Sequence, residues 1–496
     1  MKLPSQKILS KLPQRNYLYA ILEIAESESA NLFIVGGTVR DIILDREIYD
    51  IDFAISGDAI GFAKSLAKHT NTKAIILDDV QNSARVIYNH GEFYMDFSLI
   101  RGNNIIEDLK VRDLTINAIA FDFEQLLKSD EVELIDPCNG LDDLNNKIIR
   151  FTSAKAITDD PIRMLRAIRF SATLDFAISD ETQSLIRSSS TLINSVAMER
   201  VRDEIYKILD IDNSVKYIKL MDDVGLLEQI FPEIAKMRGL EQNLYHHLDV
   251  WNHSILTMEL FEKKAIPESM SDHLSEIEEY LNEEIVKDRS RLALLKIIAL
   301  FHDIGKPYVK SIDENGKIRF FDHHKKGAEL ALIIGSRLKL ANRESQFMSN
   351  VIFYHMYPLM LITKYKRREV SAKEKSRDIM KFIKNVSDDC LGVLLISYAD
   401  LQATQGPLRT AEDIKIMDYL VKEISDTYFM EIKSSIPVLV TGDDIIKEFG
   451  LSPGPIIGKI LTNIREAQLN KKISTREEAI DFARKFVSEL FESDKL

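Results

Sequence analysis

Near residue 150 the sequence changes its period, and that change restricts the chain to a mixed α/β beginning followed by a helical remainder. Up to about residue 136, short β-branched runs alternate with helical stretches: NLFIVGG, YDIDFAIS, TKAIILD, SARVIYN, EFYMDFSLI, TINAIAFDF and VELIDP. The period-two alternation of FYMDFSLI marks a half-buried strand. From TDDPIRMLRAIRFSATL onward the chain reads as helix after helix, with few strand signals before SIPVLVTGDDI. The expected fold class is therefore α+β, with a mixed sheet first and nearly all α beyond residue 150. At 496 residues the chain is too long for one compact core, so several domains are expected. Pro437 and Gly442 bracket a short apolar run, which sets a boundary near 430 for a C-terminal module.

Composition narrows the function class. With 45% hydrophobic and 29% charged residues, the chain has the balance of a soluble globular protein. No apolar run is long enough to span a bilayer, and MKLPSQKILSKLPQ lacks an apolar signal core, so a cytoplasmic location without a membrane partner is expected. Cys138 and Cys390 are the only cysteines, which provides neither a disulfide framework nor a thiolate metal site. The formal charge of −13 argues against a surface coated for nucleic acid. Basic residues do gather in Thr363 to Arg377 and Asn463 to Arg476, as solvated helix faces or as local grips.

Two constellations carry chemistry. In the first, Gly36 and Gly37 end a strand and TVRDIILD continues as a helix, a turn whose N–H groups can take phosphate. Asp50 and Asp52 follow at i and i+2 of a strand, so both carboxylates share one face. Oxygen ligands of that kind suit Mg²⁺. Asp96, on the alternating strand, is the candidate third acid for a two-metal nucleotidyl transfer. Downstream, Arg112 and Asp113 lie beside TINAIAF, read as a strand, where an acid and the Asn117 amide could distinguish a ribose from a deoxyribose. In DDPIRMLRAIRF, Asp160 and Pro161 read as a helix start, and Asp159 and Arg163 sit four apart.

IVGGTVRD followed by DIDFAI resembles the nucleotidyltransferase superfamily to which DNA polymerase beta belongs. DLKVRDLTINAIAFD, DDPIRMLRAIRF and AMERVRDEIYKIL resemble further signatures of the class II tRNA nucleotidyltransferases and bacterial poly(A) polymerases. The resemblance implies a catalytic head over 1–136, a helical neck over 137–212, a helical body over 213–430 and a tRNA-gripping tail over 431–496. Lys459, Arg465, Lys471 and Lys472 are the tail's candidate contacts. It implies catalysis by Asp50, Asp52 and Asp96, with nucleotide contacts from Gly36, Gly37, Arg40, Arg112, Asp113, Asn117, Asp159, Arg163, Arg166 and Arg169. Asp159 and Arg163 would read the base; Arg166 and Arg169 would face the triphosphate. Helix MERVRDEIYKIL would brace them, with Glu199–Arg202 and Arg200–Glu204 spaced as intrahelical ion pairs. The implied activity is addition of the 3′-terminal CCA to tRNA from CTP and ATP. The short passage from Asp96 to Arg112 resembles members that add only CC. Poly(A) synthesis is a further alternative, as is a metal-dependent phosphohydrolase whose head only binds RNA.

The second constellation lies in the body: HHLDVWNHS, LFHDIGKP, FFDHHKKGAE, FYHMYP and SYADLQATQGP. His302-Asp303, with the earlier His253 and the later Asp400, resembles the HD phosphohydrolase superfamily. His323 and His355 would complete a larger ligand set. Imidazole with carboxylate suits a divalent transition metal, and a shared carboxylate could hold two. The implied activity is hydrolysis of phosphomonoesters or 2′,3′-cyclic phosphodiesters.

Overall fold

The computed structural model describes the chain except for residues 13–14, 89–92, 265, 434–438, 451–454, 470–472 and 494–496. It divides into two compact units, Met1–Ala235 with Ile334–Leu340, and Lys236–Ile333 with Ala341–Leu496.

The first unit is built on an eight-stranded sheet: β1 (Lys2–Pro4), β2 (Leu32–Val35), β3 (Asp50–Ile55), β4 (Lys73–Asp78), β5 (Ser83–Tyr88), β6 (Phe93–Leu99), β7 (Ala120–Asp122) and β8 (Glu131–Ile135). The spatial order is β1-β8-β7-β2-β3-β6-β5-β4. Only β3 and β6 run parallel, with Asp52 opposite Asp96. The crossover between them is helix Ala59–His69 with the hairpin β4–β5. One face of the central strands is apolar. Ile51, Phe53, Met95 and Phe97 are fully buried there, and Phe53 stacks on Phe97 at 4.9 Å and meets Phe123 edge-on at 5.2 Å. Because side chains alternate along a strand, this core forces Asp50, Asp52 and Asp96 onto the other face.

One sequence expectation changes here, and one strand is new. TINAIAF is not one strand: Thr115–Asn117 forms a 3₁₀ turn and pairing begins at Ala120. β1 carries no signal in the sequence, because three residues are too few to show a period; it is held by pairing with β8.

The second unit is helical, apart from short hairpins at Glu284–Val286/Arg289–Ser290 and Ser311–Ile312/Ile318–Arg319. Its central helix, Cys390–Ala403, is buried along nearly its whole length. The acidic stretch 267–291 forms a 3₁₀ turn, helix Leu274–Asn282 and the first hairpin. Of SIPVLVTGDDI, residues 435–438 lie outside the described residues, and helix Gly442–Phe449 follows. The last helices share an apolar cluster that includes Ile445, Ile460, Ile464 and Ala479. Among the described residues, no helix is long and apolar enough to cross a membrane.

Candidate functional site

In the first unit the chain leaves β2 through Gly36, whose φ of +67° favours glycine. A Cβ there would stand 3.2 Å from Arg112 Nη1 and 3.3 Å from Asp52 Oδ2, so the glycine also admits the acid. Helix Gly37–Ile43 follows, and its Thr38 hydroxyl accepts from the Asp52 N–H at 2.8 Å, fixing the acid strand to the turn. Asp50 and Asp52 then face Asp96 across the parallel pair. Burial, followed by the charges of Asp50 and Asp96, raises the Asp52 carboxyl to about 7. Asp50 is raised as well, by burial and then by Asp96. Asp50 and Asp52, crowded in this way, fit a divalent cation whose charge would offset theirs, while Asp96 is paired with Arg85 at 2.7 Å.

Beside the acids lies an open cavity of about 470 Å³, lined by Arg40, Arg101, Arg112, Arg163, Arg166, Arg169 and Arg200 with Asp113, Asn117, Asp160 and Phe170. A hydrogen-bond chain ties its floor together. Arg40 donates to Asn117 at 2.8 Å, the Asn117 amide donates to Asp113 at 3.2 Å, and Arg166 donates to Asp113 at 2.7 and 2.9 Å. Burial alone would raise Asp113, yet Arg166 overcomes it and holds the carboxyl down at about 2. Arg169 pairs with Glu204 at 2.7 Å. Arg40, Arg166 and Arg169 all lie against the ring of Phe170, at 4.9, 5.5 and 4.1 Å.

The expected Asp159–Arg163 pair on one helical turn is not formed. Asp160 precedes Pro161 and is extended (φ −154°, ψ 99°), which ends helix Lys155–Asp159, and a new helix starts at Arg163. Asp159 faces Lys155 at 3.9 Å, whereas Asp160 lines the cavity and accepts from Arg200 at 2.8 and 3.2 Å. Helix Met198–Leu209 also spends charges beyond itself, Arg200 on Asp160, Glu204 on Arg169 and Arg202 on the Lys339 carbonyl at 2.6 Å, in place of the expected Glu199–Arg202 and Arg200–Glu204 pairs.

In the second unit, His253, His302, Asp303, His323, His355 and Asp400 come together from five places in the helical fold and are all buried. The Nδ1 atoms of His302, His323 and His355 lie 2.9, 2.8 and 2.6 Å from the carbonyls of Ala299, Phe320 and Ile352. Each ring thus donates through Nδ1 to the residue three before it and aims Nε2 inward, where it has no hydrogen-bond partner. Asp303 stands between two groups. Its Oδ2 is 3.2 Å from His302 and 3.6 Å from His253, and its Oδ1 is 3.4 Å from His323 and 3.9 Å from His355. Asp400 lies 2.9 Å from His253. The atoms of His253, His302 and Asp303, and those of Asp303, His323 and His355, are each close enough to hold one ion. Orphaned buried nitrogens around a shared carboxylate fit a pair of metals better than they fit an empty core. Close backbone contact makes the site possible: a Cβ on Gly305 would strike the His323 carbonyl at 2.0 Å. A cavity of about 340 Å³ opens beside it, lined by Tyr245, Lys306, Arg319, Phe321, Met360 and Arg409 among others.

Comparison with known proteins follows this geometry along the chain. Residues 32–150 match the poly A polymerase head domain, 175–237 the probable RNA- and SrmB-binding site of polymerase A, 250–421 the HD domain and 406–483 the putative tRNA nucleotidyltransferase domain 2. The multifunctional CCA protein of Psychromonas ingrahamii is 30% identical over 65% of this chain and 74% of its own length. The chain is a nucleotidyltransferase of the tRNA nucleotidyltransferase and poly(A) polymerase family. Within that family, the A-adding tRNA nucleotidyltransferase of Deinococcus radiodurans is 29% identical over 92% of this chain and 95% of its own. The CC-adding enzyme of Thermus thermophilus is 27% identical over 91% and 92%. The fold is that of the Thermotoga maritima CCA-adding enzyme solved with tRNA, with a TM-score of 0.58 at 20% identity over 98% and 99% of the two chains.

Nucleotidyl transfer of this family uses divalent metal, and the His and Asp groups of the second unit are placed to hold an ion. Thr38, Phe170, Arg200 and Glu204 were not singled out for the head site by sequence reasoning. The signal for Arg200 and Glu204 was present in their helical spacing but pointed to each other, because partners distant in sequence cannot be read from spacing. The basic stretch from Thr363 is neutralised in part: Lys364 pairs with Glu374 and Asp378, Lys366 with Asp413, and Arg368 with Glu374. In the tail, Lys459 and Arg465 fall on helix Pro455–Leu469, and Lys471 and Lys472 lie outside the described residues.

Proposed function

We propose that this chain adds the 3′-terminal CCA to tRNA from CTP and ATP, with Asp50, Asp52 and Asp96 as the catalytic acids. The observation that carries the reading is the in-register meeting of Asp52 and Asp96 at the rim of an arginine-lined cavity. Mg²⁺ on Asp50 and Asp52, when bound, would supply charge stabilisation at the reacting phosphate. Gly36 and Gly37 leave room for phosphate at the turn, and Arg40, Arg112, Arg166 and Arg169 hold the triphosphate. Asp113 and Asn117 face the ribose. Asp160, held by Arg200, offers an acceptor and Arg163 offers donors; that pair matches the amino donor and ring-nitrogen acceptor shared by cytosine and adenine, and mismatches uracil.

A second reading, addition of only part of CCA, is favoured by one observation. The segment between β6 and Arg112 is pinned, with Arg101 and Arg112 both donating to Asp108, at 2.9 and 2.8 Å. A segment tied in this way is poorly suited to readjust the base site between cytidine and adenosine. Incubating tRNA that lacks its 3′ end with CTP, ATP or both, and reading product length, decides between them. A product three nucleotides longer supports the main reading, a stop after two supports CC addition, and adenosine added only to tRNA ending in CC supports A addition. A long adenosine ladder would overturn all three in favour of poly(A) synthesis.

The HD centre is read as a metal-dependent phosphohydrolase, with His253, His302, Asp303 and Asp400 holding one transition metal and His323 and His355 sharing Asp303 with a second. Opening of a 2′,3′-cyclic nucleotide to its phosphomonoester, dependent on added Ni²⁺, Co²⁺ or Mn²⁺, tests it. The division into head, neck, body and tail at 136, 212 and 430, the tail's grip on tRNA and a cytoplasmic location complete the reading.

A further inference from the structure

The acids of β3 stand on a border. On the β2 side lies the arginine-lined cavity, and none of its lining comes from β4, β5 or β6. On the other side, those three strands continue the face that bears the acids. Register carries the residues across it in two rows: Asp52, Asp96, Arg85 and Ile75, then Asp50, Tyr94, Ile87 and Lys73. The reverse face of β5 and β6 is core, with Ala84, Val86, Met95 and Phe97 buried. This face is left open. Lys73 is exposed, Ile75 is 39% exposed, and Arg85, Ile87, Tyr94 and Asp96 are half-buried. It carries an aromatic ring, two aliphatic side chains and two cations immediately beside the catalytic acids.

Nucleotidyl transfer fixes what must come to this side. The RNA 3′-oxygen forms a bond to the α-phosphorus while the bond to the β-phosphate oxygen breaks; pyrophosphate leaves and the hydroxyl proton is lost to a base. The attacking and leaving oxygens lie roughly in line. With the triphosphate held by arginines on the β2 side, the hydroxyl enters from the β6 side. We propose that the open face of β6, β5 and β4 seats the last two nucleotides of the acceptor strand, with Tyr94 under the terminal base and Arg85 on the phosphodiester that precedes it. The inference rests on the nucleotidyl-transfer reading above.

Arg85 is placed for such a role. It makes a two-pronged pair with Asp96, 2.7 Å on each prong, and its guanidinium lies 4.8 Å from the centre of the Tyr94 ring. A planar fork that holds a carboxylate can hold a phosphate in the same way. Passing from Asp96 to the strand, Arg85 frees that carboxylate for the incoming hydroxyl, so the third acid is completed only when RNA is seated. Bases stack on an aromatic platform regardless of sequence, which suits a terminus whose last base changes as synthesis proceeds. Lys73 extends the positive charge toward the preceding phosphate.

The test uses the full chain and a tRNA lacking CCA whose last nucleotide is 4-thiouridine. Irradiation is expected to cross-link it to the β4–β6 peptides, and the cross-link is lost when competing unmodified tRNA is added. Arg85→Met and Tyr94→Ala are expected to raise KM for tRNA about tenfold while the equilibrium dissociation constant for CTP stays within twofold; Tyr94→Phe restores most of the loss. A cross-link that maps only elsewhere in the chain, or variants that keep the tRNA KM within twofold, overturns the platform while leaving nucleotide addition standing. If the wild-type protein adds no nucleotide to any tRNA, the parent reading fails first.

Discussion

In the head, Asp50 and Asp52 confront each other beside Asp96, which Arg85 clamps; in the second unit, Asp303 and Asp400 sit among imidazoles with Lys306 against Asp303. The contrast shows in their ionisation. Burial and mutual repulsion lift Asp52 to about 7. Burial would lift Asp303 as well, but Lys306 and His302 hold it well below the usual carboxylate range, and His253 and His302 do the same for Asp400. Reciprocally, although burial disfavours charge on His302, the two acids raise it to about 10. The acids of the HD centre are thus balanced by the groups against them, whereas Asp50 and Asp52 stay raised despite the arginines of the neighbouring cavity. A cation entering the head displaces a proton from a carboxylate; one entering the HD centre displaces a proton from an imidazole. An open, acid-rich site suits a metal that arrives with its nucleotide, and a buried, balanced site suits one that stays.

The largest expected effect tests whether the head depends on its charge. Asp52→Asn should lower nucleotide addition with CTP or ATP by at least about a thousandfold while tRNA binding and cyclic-phosphate hydrolysis persist. Near wild-type incorporation would remove Asp52 from the mechanism.

Asp303→Asn probes the other side. Loss of the shared carboxylate should abolish 2′,3′-cyclic phosphate hydrolysis, by about a hundredfold or more, and halve the transition metal retained after dialysis, with CTP incorporation unchanged within twofold. If both activities fall together in a protein that still melts cooperatively, the centres are not independent.

Selectivity should belong to the head alone. Arg163→Ala is expected to shrink the preference for CTP over UTP by about tenfold to a hundredfold, measured as the ratio of kcat/KM values. Asp159→Ala should leave that ratio within twofold, because Asp160 is the acid that lines the cavity.

The smallest effect is a matter of pH. Because the folded value of Asp52 lies above its unfolded one, its proton favours the metal-free fold; that contribution is complete below about 3.8 and lost as pH rises through about 7. In EDTA, the melting temperature should therefore fall by a few degrees between pH 6 and 8, and Mg²⁺ should restore it. Asp52→Asn should remove the slope. Calorimetry on the two proteins decides.

Much of this contrast was legible in the sequence, since Asp50 and Asp52 announce a shared face by spacing alone, and the alternation of β6 brings Asp96 to the same face. The buried His and Asp cluster of the second unit was readable in order, because His-Asp adjacency and the flanking histidines are local signals. What escaped depended on partners far apart along the chain. Glu204 sits 35 residues from Arg169, and Arg200 sits 40 from Asp160. Asp159 and Asp160 part for a nearer reason: Pro161 extends the residue before it, and a helix cannot be drawn through that position. Thr38 and Phe170 carry no charge and looked like ordinary filling until the strand and the arginines were seen against them.

One device in the HD centre bears on how fast it can work. His302, His323 and His355 each anchor Nδ1 on a carbonyl three residues earlier, so the rings are aimed by their own backbone before any ion arrives. Metal uptake would then need no reorientation of these three rings. Its rate should rise in proportion to metal concentration without reaching a plateau, and apoprotein made by chelation should regain hydrolysis within the mixing time of the assay.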